Sequence, residues 1–391
     1  MRILIAPDSF KECLAAAEVA ERIAEGIGRV APDAQIITLP LSDGGEGLVK
    51  TLTAAMDGQM LCREVTGPLY QRVRAGWGLV GGDTAIIEMA EASGLALVPA
   101  AERNPLKATT FGTGELIRAA LEQGCTRLII GIGGSATNDG GAGMAQALGV
   151  RLLDARGEEI APGAAGLLEL ASIDMSAVDP RLAHTEIKVA CDVTNPLCGP
   201  RGAARVYGPQ KGAAAAEVEL LEQALSRLAE VVKRDMGLDI CAVPGAGAAG
   251  GLGAGLMAFT GARLQPGLEL VLDILQFDSR LSDGLDLIIT GEGEINGQSL
   301  YGKVPVGVAR RARKYGIPVL AVVGNIGPEA GQVYAEGITA VMSIAPGPIS
   351  REESLARAGV LIADAAERAM RIMSVALHSS ETLGGIHPQG Y

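Results

Sequence analysis

The chain has 391 residues, a formal net charge of −12, 48% hydrophobic and 20% charged residues, only 3% aromatics and 54 glycines. That length suits two or three domains with ample core, and the charge argues against nucleic acid or an anionic membrane as a partner. With so few aromatics the core must come from Ala, Leu, Ile and Val, the profile of an α/β enzyme with many tight βα loops.

Six scattered cysteines without a C-x-x-C pair read as reduced thiols of a cytoplasmic protein, not as a disulfide framework or zinc site. The apolar run in M-R-I-L-I-A-P-D is too short for a signal peptide. Ile240 to Ala262 is uncharged but holds Pro244 and seven glycines, so it reads as a Gly-rich turn and a core helix, not a membrane span. With only three histidines, neither histidine catalysis nor a histidine metal site is expected.

Taken in order, Arg2 to Pro7 reads as a short strand leading into D-S-F-K, Asp8 to Lys11. An amphipathic helix follows from about Ala15 to Val30, with Val19, Ala20, Ile23 and Ile27 on its inner face. A second strand, Gln35 to Leu41, ends in S-D-G-G-E-G (Ser42 to Gly47) and another helix. Both strand ends carry carboxylates: Asp8 beside Lys11, then Asp43 with Glu46. Ligands of open α/β sheets collect at such ends. Either group alone also reads as helix capping on a solvated loop; recurrence at two successive strand ends favours a site. From Leu61 to Met89 three strands joined by turns at Gly67-Pro68 and Gly81-Gly82-Asp83 indicate an antiparallel sheet and a domain boundary near residue 65. Thr109 to Gln123 gives F-G-T-G-E-L and a helix.

The central stretch, Leu128 to Gly149, reads as a buried strand (Leu128 to Ile132), a loop (Gly133 to Gly141) and a helix (Ala142 to Leu148). Gly133, Gly134, Gly140 and Gly141 let backbone N–H groups approach a ligand, and Ser135, Thr137, Asn138 and Asp139 surround them with polar side chains. The loop is a candidate phosphate or carboxylate cradle; the competing reading is a tight turn that only starts a helix. Ile187 to Ala190 is a strand ending in C-D-V-T-N-P-L. Asp192, close to Asn195 and near a lysine, suits a magnesium ligand or a base for a hydroxyl proton, and equally an Asx turn. G-P-Q-K-G (Gly208 to Gly212) then introduces a long charged helix reaching about Gly237.

The last third returns to βα alternation: a strand from Leu285 to Thr290 ending in G-E-G-E, and a helix from Val304 to Tyr315. Strands at Val319 to Val323 and Ile338 to Ser343 follow, with a final helix from Glu352 to Met373. The inferred fold is α/β with two domains: a doubly wound parallel sheet from both chain ends (1–65 and 265–375) and an inserted α/β domain with a mixed sheet (66–264). Residues 376–391 form a tail without a motif. The crevice between the domains is the expected site.

Three glycine motifs fail on context. G-x-G-x-x-G at Gly245, Gly247 and Gly250 follows no convincing strand, and the looser G-x-G-x-x-A at Gly131, Gly133 and Ala136 lacks a ribose-binding acid. Gly297 to Val304 matches G-x-x-x-x-G-K, but Val304 replaces the magnesium-binding Ser or Thr and the loop begins well beyond its strand. Lys303 stays a candidate phosphate contact.

Eight segments together resemble the type-1 glycerate kinase family. They are I-A-P-D-S-F-K (5–11), L-S-D-G-G-E-G (41–47), I-G-I-G-G-S-A-T-N-D-G-G (130–141), C-D-V-T-N-P-L-C-G (191–199), P-Q-K-G-A (209–213), P-G-A-G-A-A-G-G-L-G (244–253), T-G-E-G (290–293) and Y-G-K-V-P (301–305). They cover essentially the whole chain; Cys13 and Ala15 depart from the serines expected there. The resemblance implies a flavodoxin-like domain with an inserted α/β domain, and phosphorylation of D-glycerate by ATP and Mg²⁺ to 2-phosphoglycerate. A kinase of another small hydroxy acid and a non-catalytic sugar-acid sensor are the alternatives, and homo-oligomerisation stays open. It also implies site roles. Ser135, Thr137 and Asn138, with the N–H groups of Gly133 and Gly134, would hold a phosphate or the glycerate carboxylate. Lys11, Lys211 and Lys303 would neutralise phosphate oxygens. Asp192 would orient or deprotonate the substrate hydroxyl, with Asp8 and Asp43 competing for that role and Asp43 and Asp192 as metal ligands. Ser9, Gly44, Gly45, Glu46, Asp139, Asn195 and Glu292 are carried over as further binding positions.

Overall fold

Short apolar runs closed by Gly, Pro or Asp set the strands. The computed structural model describes residues 1–45 and 47–383. In chain order its strands are β1 (Arg2–Ile5), β2 (Gln35–Thr38), β3 (Gln59–Thr66), β4 (Arg72–Val80), β5 (Thr84–Glu88) and β6 (Arg127–Gly131). They continue with β7 (Arg151–Leu153), β8 (Ser172–Asp174), β9 (Glu186–Ala190), β10 (Arg263–Gln265), β11 (Leu287–Ile295), β12 (Val319–Ile326) and β13 (Ala340–Ser343). The chain divides into two units, one made of Met1–Asp43 and the chain from Val271 onward, the other of Gly44–Leu270.

The first unit holds a five-stranded sheet in the order β13-β12-β11-β1-β2, with every neighbouring pair parallel. Counting its own five strands along the chain, this is the 2-1-3-4-5 order of flavodoxin-like folds, whose switch point lies between the first and third strands, here β1 and β11. Helix Ala16–Gly28 buries Val19, Ala20, Ile23 and Ile27, the face its periodicity predicts. These pack with Ile3, Ile5, Ile289 and Val322 of the sheet and Leu361, Ile362, Ala365 and Ala366 of helix Ala358–Leu383. Each large aliphatic side chain so buried contributes about 1.5–3 kcal/mol.

The second unit holds a mixed sheet in the order β10-β9-β6-β5-β4-β3. Its β10, β9, β6 and β5 run parallel, while β5-β4 and β4-β3 are antiparallel, as the closely spaced turns predict. A separate antiparallel pair, β7-β8, lies outside it. Among the described residues no helix is long and apolar enough to cross a membrane.

Three expectations differ from this architecture. A boundary near residue 65 would leave β3 with the first unit, yet β3 pairs with β4 along its whole length and the division falls after Asp43. The strand expected to stop at Thr290 continues to Ile295, because Glu292, Glu294 and Ile295 keep pairing with β12 although G-E-G-E has no strand-like apolarity. The loop from Gly297 therefore starts just after its strand, and Val304 alone argues against a Walker loop. The final helix runs to Leu383, so the expected tail from residue 376 begins inside it; residues 384–391 lie outside the described residues.

Candidate active site

In the first unit, the carboxyl ends of β1 and β11 carry two buried carboxyl groups, Asp8 and Glu292. The chain leaving β1 is held to β11 by the Asp8 N–H donating to the Gly291 carbonyl at 2.8 Å, and Thr290 Oγ1 donates to the Ala6 carbonyl at 2.8 Å. This holds Asp8 and Glu292 at the switch point, only 8% and 4% exposed. Asp8 Oδ1 accepts the Ser9 N–H at 2.6 Å. Burial, and then the charge of Asp43, push the Asp8 carboxyl up to about 7, with Ser9 and Lys11 pulling the other way. Glu292 is also pushed up to about 7, chiefly by burial; Lys303 and Ser299 oppose the rise and Asp8 adds to it. Ser299 Oγ donates to Glu292 Oε1 at 2.9 Å, and Lys303 Nζ lies 3.5 Å from Glu292 Oε2. Asp8, Ser9, Lys11, Asp43, Glu292 and Lys303 thus belong to one strand-end cluster of carboxylates and ammonium groups. Glu46 lies outside the described residues.

In the second unit, a cavity of about 240 Å³ opens at the carboxyl ends of β6 and β9. Gly133, Gly134 and Ser135 form part of its wall, with Gly44, Gly45, Asp192 and Lys211. Gly44 has φ +93°, and a Cβ there would come within 2.7 Å of Gly267 Cα and 3.0 Å of Ala190 Cβ, so this approach needs glycine. Asp192 Oδ1 accepts the Gly267 N–H at 2.8 Å, at the start of helix Gly267–Ile274.

Lys211 is 2% exposed, and its Nζ donates to Ser135 Oγ and to the Thr137 carbonyl, both at 2.7 Å. Burial lowers its ammonium to about 7, and Asp139 restores part of the loss. Asp139 is fully buried. Its carboxylate accepts from Thr110 N and Thr110 Oγ1 at 2.9 Å and from the Gly141 and Gly143 N–H groups at 3.2 Å. Burial pushes its carboxyl up while those donors pull it down.

The central loop is therefore divided in its roles. Ser135 faces the cavity, whereas Asp139 turns inward and organises the start of helix Ala142–Ala147. Thr137 and Asn138 are fully buried; Thr137 Oγ1 and both amide atoms of Asn138 have no hydrogen-bond partner among the described residues. Asn195 is engaged by the fold, since its Nδ2 donates to the Arg201 carbonyl at 2.8 Å and its Oδ1 accepts from the Tyr207 hydroxyl at 2.7 Å.

Several contributors escaped sequence reading. Glu88 accepts the Gly47 N–H at 2.7 Å and the Val49 N–H at 3.4 Å, holding the start of helix Leu48–Ala55 beside the Gly44-Gly45 wall. An acid closing the apolar run T-A-I-I-E was its only signal. Ser299, Thr110 and the cavity-lining Tyr207 had none, and Gln210, inside P-Q-K-G-A, was not singled out. Among the described residues no three His, Cys, Asp or Glu side chains cluster as an all-protein metal site.

A flavodoxin-like sheet with carboxylates and lysines at its switch point, joined in one chain to a glycine loop backed by a buried lysine, defines an α/β enzyme acting on small anions. The glycerate kinase family profile matches residues 3–374. The chain is 54% identical to the glycerate 2-kinase of Escherichia coli K12 over 345 residues, covering 88% of this chain and 90% of that protein. It is 50% identical to the glycerate kinase of Bacillus subtilis 168 over 384 residues, or 98% and 99% of the two chains. A crystal structure from Salmonella typhimurium LT2, assigned to glycerate kinase 2, superposes with a TM-score of 0.89 at 49% identity, covering 97% of this chain and 99% of that one. The chain belongs to the glycerate kinase family, and it is a kinase.

Proposed function

We propose that the protein transfers the γ-phosphoryl group of ATP, as its Mg²⁺ complex, to the 2-hydroxyl of D-glycerate, giving 2-phosphoglycerate and ADP. The relatives named glycerate kinase and glycerate 2-kinase support this reading. The observation that carries it is the small cavity at the ends of β6 and β9, with a carboxylate and an ammonium in its wall, which suits a short hydroxy acid.

Asp192 takes the hydroxyl proton or orients the hydroxyl as the oxygen attacks phosphorus, while the β–γ bridging oxygen leaves with ADP. Lys11 and Lys303 neutralise phosphate oxygens. The residues present fit Mg²⁺, which uses one or two carboxylates and completes its shell with water and phosphate, so an all-protein cage is not needed. Asp43, whose charge already raises its neighbour Asp8, is the proposed ligand in the first unit, and Asp192 the proposed ligand in the second. Mg²⁺ when bound would offset the charge of the transferring phosphate. All six cysteines are free thiols, which agrees with a cytoplasmic enzyme.

The test is Mg·ATP-dependent turnover of D-glycerate, read by enolase without added mutase. Formation of phosphoenolpyruvate is expected; ADP without it means 3-phosphoglycerate or uncoupled hydrolysis, and no ADP removes the proposal. Asp192→Asn should lower kcat by about 10²–10⁴-fold, and near-normal turnover would exclude Asp192 from the mechanism.

A further inference from the structure

The cavity of the second unit carries one charge of each sign in its wall. Lys211 is the only Lys or Arg in its wall among the described residues, and that wall also carries Asp192. One ammonium matches one carboxylate. The volume, about 240 Å³, is that of a site for a short organic acid.

The Lys211 side chain is built into the protein. Two of its three N–H bonds end on Ser135 Oγ and the Thr137 carbonyl. Because Ser135 Oγ accepts from an ammonium, its own O–H must point elsewhere, and Ser135 lines the cavity. An ammonium on its lone pair polarises that hydroxyl into a stronger donor. Gly133 and Gly134 beside it leave the backbone open to a close approach by a ligand.

We propose that Gly133, Gly134 and Ser135 form the carboxylate subsite of the acceptor acid, with Lys211 supplying its positive charge directly and through the Ser135 hydroxyl. The inference rests on the kinase reading for the identity of the acid. A short 2-hydroxy acid held there by its carboxylate leaves its hydroxyl to the rest of the cavity, where Asp192 is the carboxylate. Ser135 and Lys211 then select the acid and not the nucleotide.

Calorimetric binding separates this inference from the kinase reading, because it needs no turnover. D-glycerate and its neutral amide, D-glyceramide, are titrated into the full chain, Ser135→Ala and Lys211→Met, with ATP binding measured in parallel. The parent should bind glycerate in preference to the amide. Ser135→Ala should weaken glycerate by about tenfold or more, the scale of one hydrogen bond to a charged group, with amide and ATP within twofold of the parent. Lys211→Met removes the buried charge with little change of volume, and should abolish the preference for the acid. Equal losses for acid and amide, a loss confined to ATP, or no binding of glycerate by the folded parent would each overturn the subsite. If glycerate binds as expected but no ADP forms, the subsite stands and the proposed phosphorylation of D-glycerate by ATP falls.

Discussion

Asp8→Asn should stabilise the first unit at alkaline pH while impairing catalysis. Asp8 is 8% exposed, and its carboxyl is raised from the ordinary 3.8 to about 7 in the folded chain. Its folded value exceeds its unfolded one, so its stabilisation is fully present below pH 4 and is lost as the pH rises through 7. Three units at 1.36 kcal/mol each set an upper bound of about 4 kcal/mol, and relaxation of the charged form brings the expected loss between pH 5 and pH 8 to on the order of 2 kcal/mol. Asparagine keeps an oxygen for the Ser9 N–H and carries no charge at any pH. The parent, unfolded by urea without Mg²⁺ or nucleotide and followed by far-UV circular dichroism, should therefore lose stability from pH 5 to pH 8. The variant should lose clearly less, keeping the share due to Glu292, which is raised for the same reason. Trp77, the sole tryptophan, is buried in β4 of the second unit, so its fluorescence supplies an internal control. Identical pH slopes in parent and variant would refute the reasoning, as would a parent that gains stability toward pH 8.

Other consequences are open to equally direct measurement. Asp139→Ala deprives Thr110, Gly141 and Gly143 of a buried acceptor and should destabilise the second unit by about 3–5 kcal/mol; a loss below about 1 kcal/mol in Trp77-monitored urea unfolding would contradict its assigned part. Glu88→Gln leaves one acceptor oxygen for two N–H groups. It should raise the KM for D-glycerate several-fold, at a stability cost of about 1 kcal/mol, and an unchanged KM would mean that the Gly44-Gly45 wall does not depend on Glu88. Gly44→Ala places a Cβ against Gly267 at a positive φ. Strain of about 1–2 kcal/mol plus displacement of the loop should lower kcat/KM at least tenfold, and wild-type kinetics would show that the close approach is dispensable.

The sequence alone was enough for whatever depends on local periodicity and turn chemistry. Val19, Ala20, Ile23 and Ile27 repeat at helical spacing, so their common face was legible. Turns at Gly67-Pro68 and Gly81-Gly82-Asp83 sit too close together for crossovers, so β3, β4 and β5 had to be antiparallel. The carboxylates at the ends of β1 and β2 were legible because strand-end loops must face solvent or ligand. The long motifs around Asp8, Asp43, Ser135, Asp192 and Lys303 were sufficient to suggest the family.

What tertiary structure alone decided is how those polar groups divide their work. Ser135 and Asp139 are four residues apart in one loop and read alike, yet one meets Lys211 in a cavity wall and the other is enclosed by Thr110 and two backbone N–H groups. Lys211 read as a residue that neutralises phosphate oxygens, and the partner that holds its buried ammonium lies 76 positions earlier. Glu88 steadies a helix start 41 residues before it, and β11 continues past its apolar run because β12 lies alongside. Period and propensity act over a few residues, whereas burial and hydrogen-bond satisfaction are set by whichever distant segments the fold brings into contact.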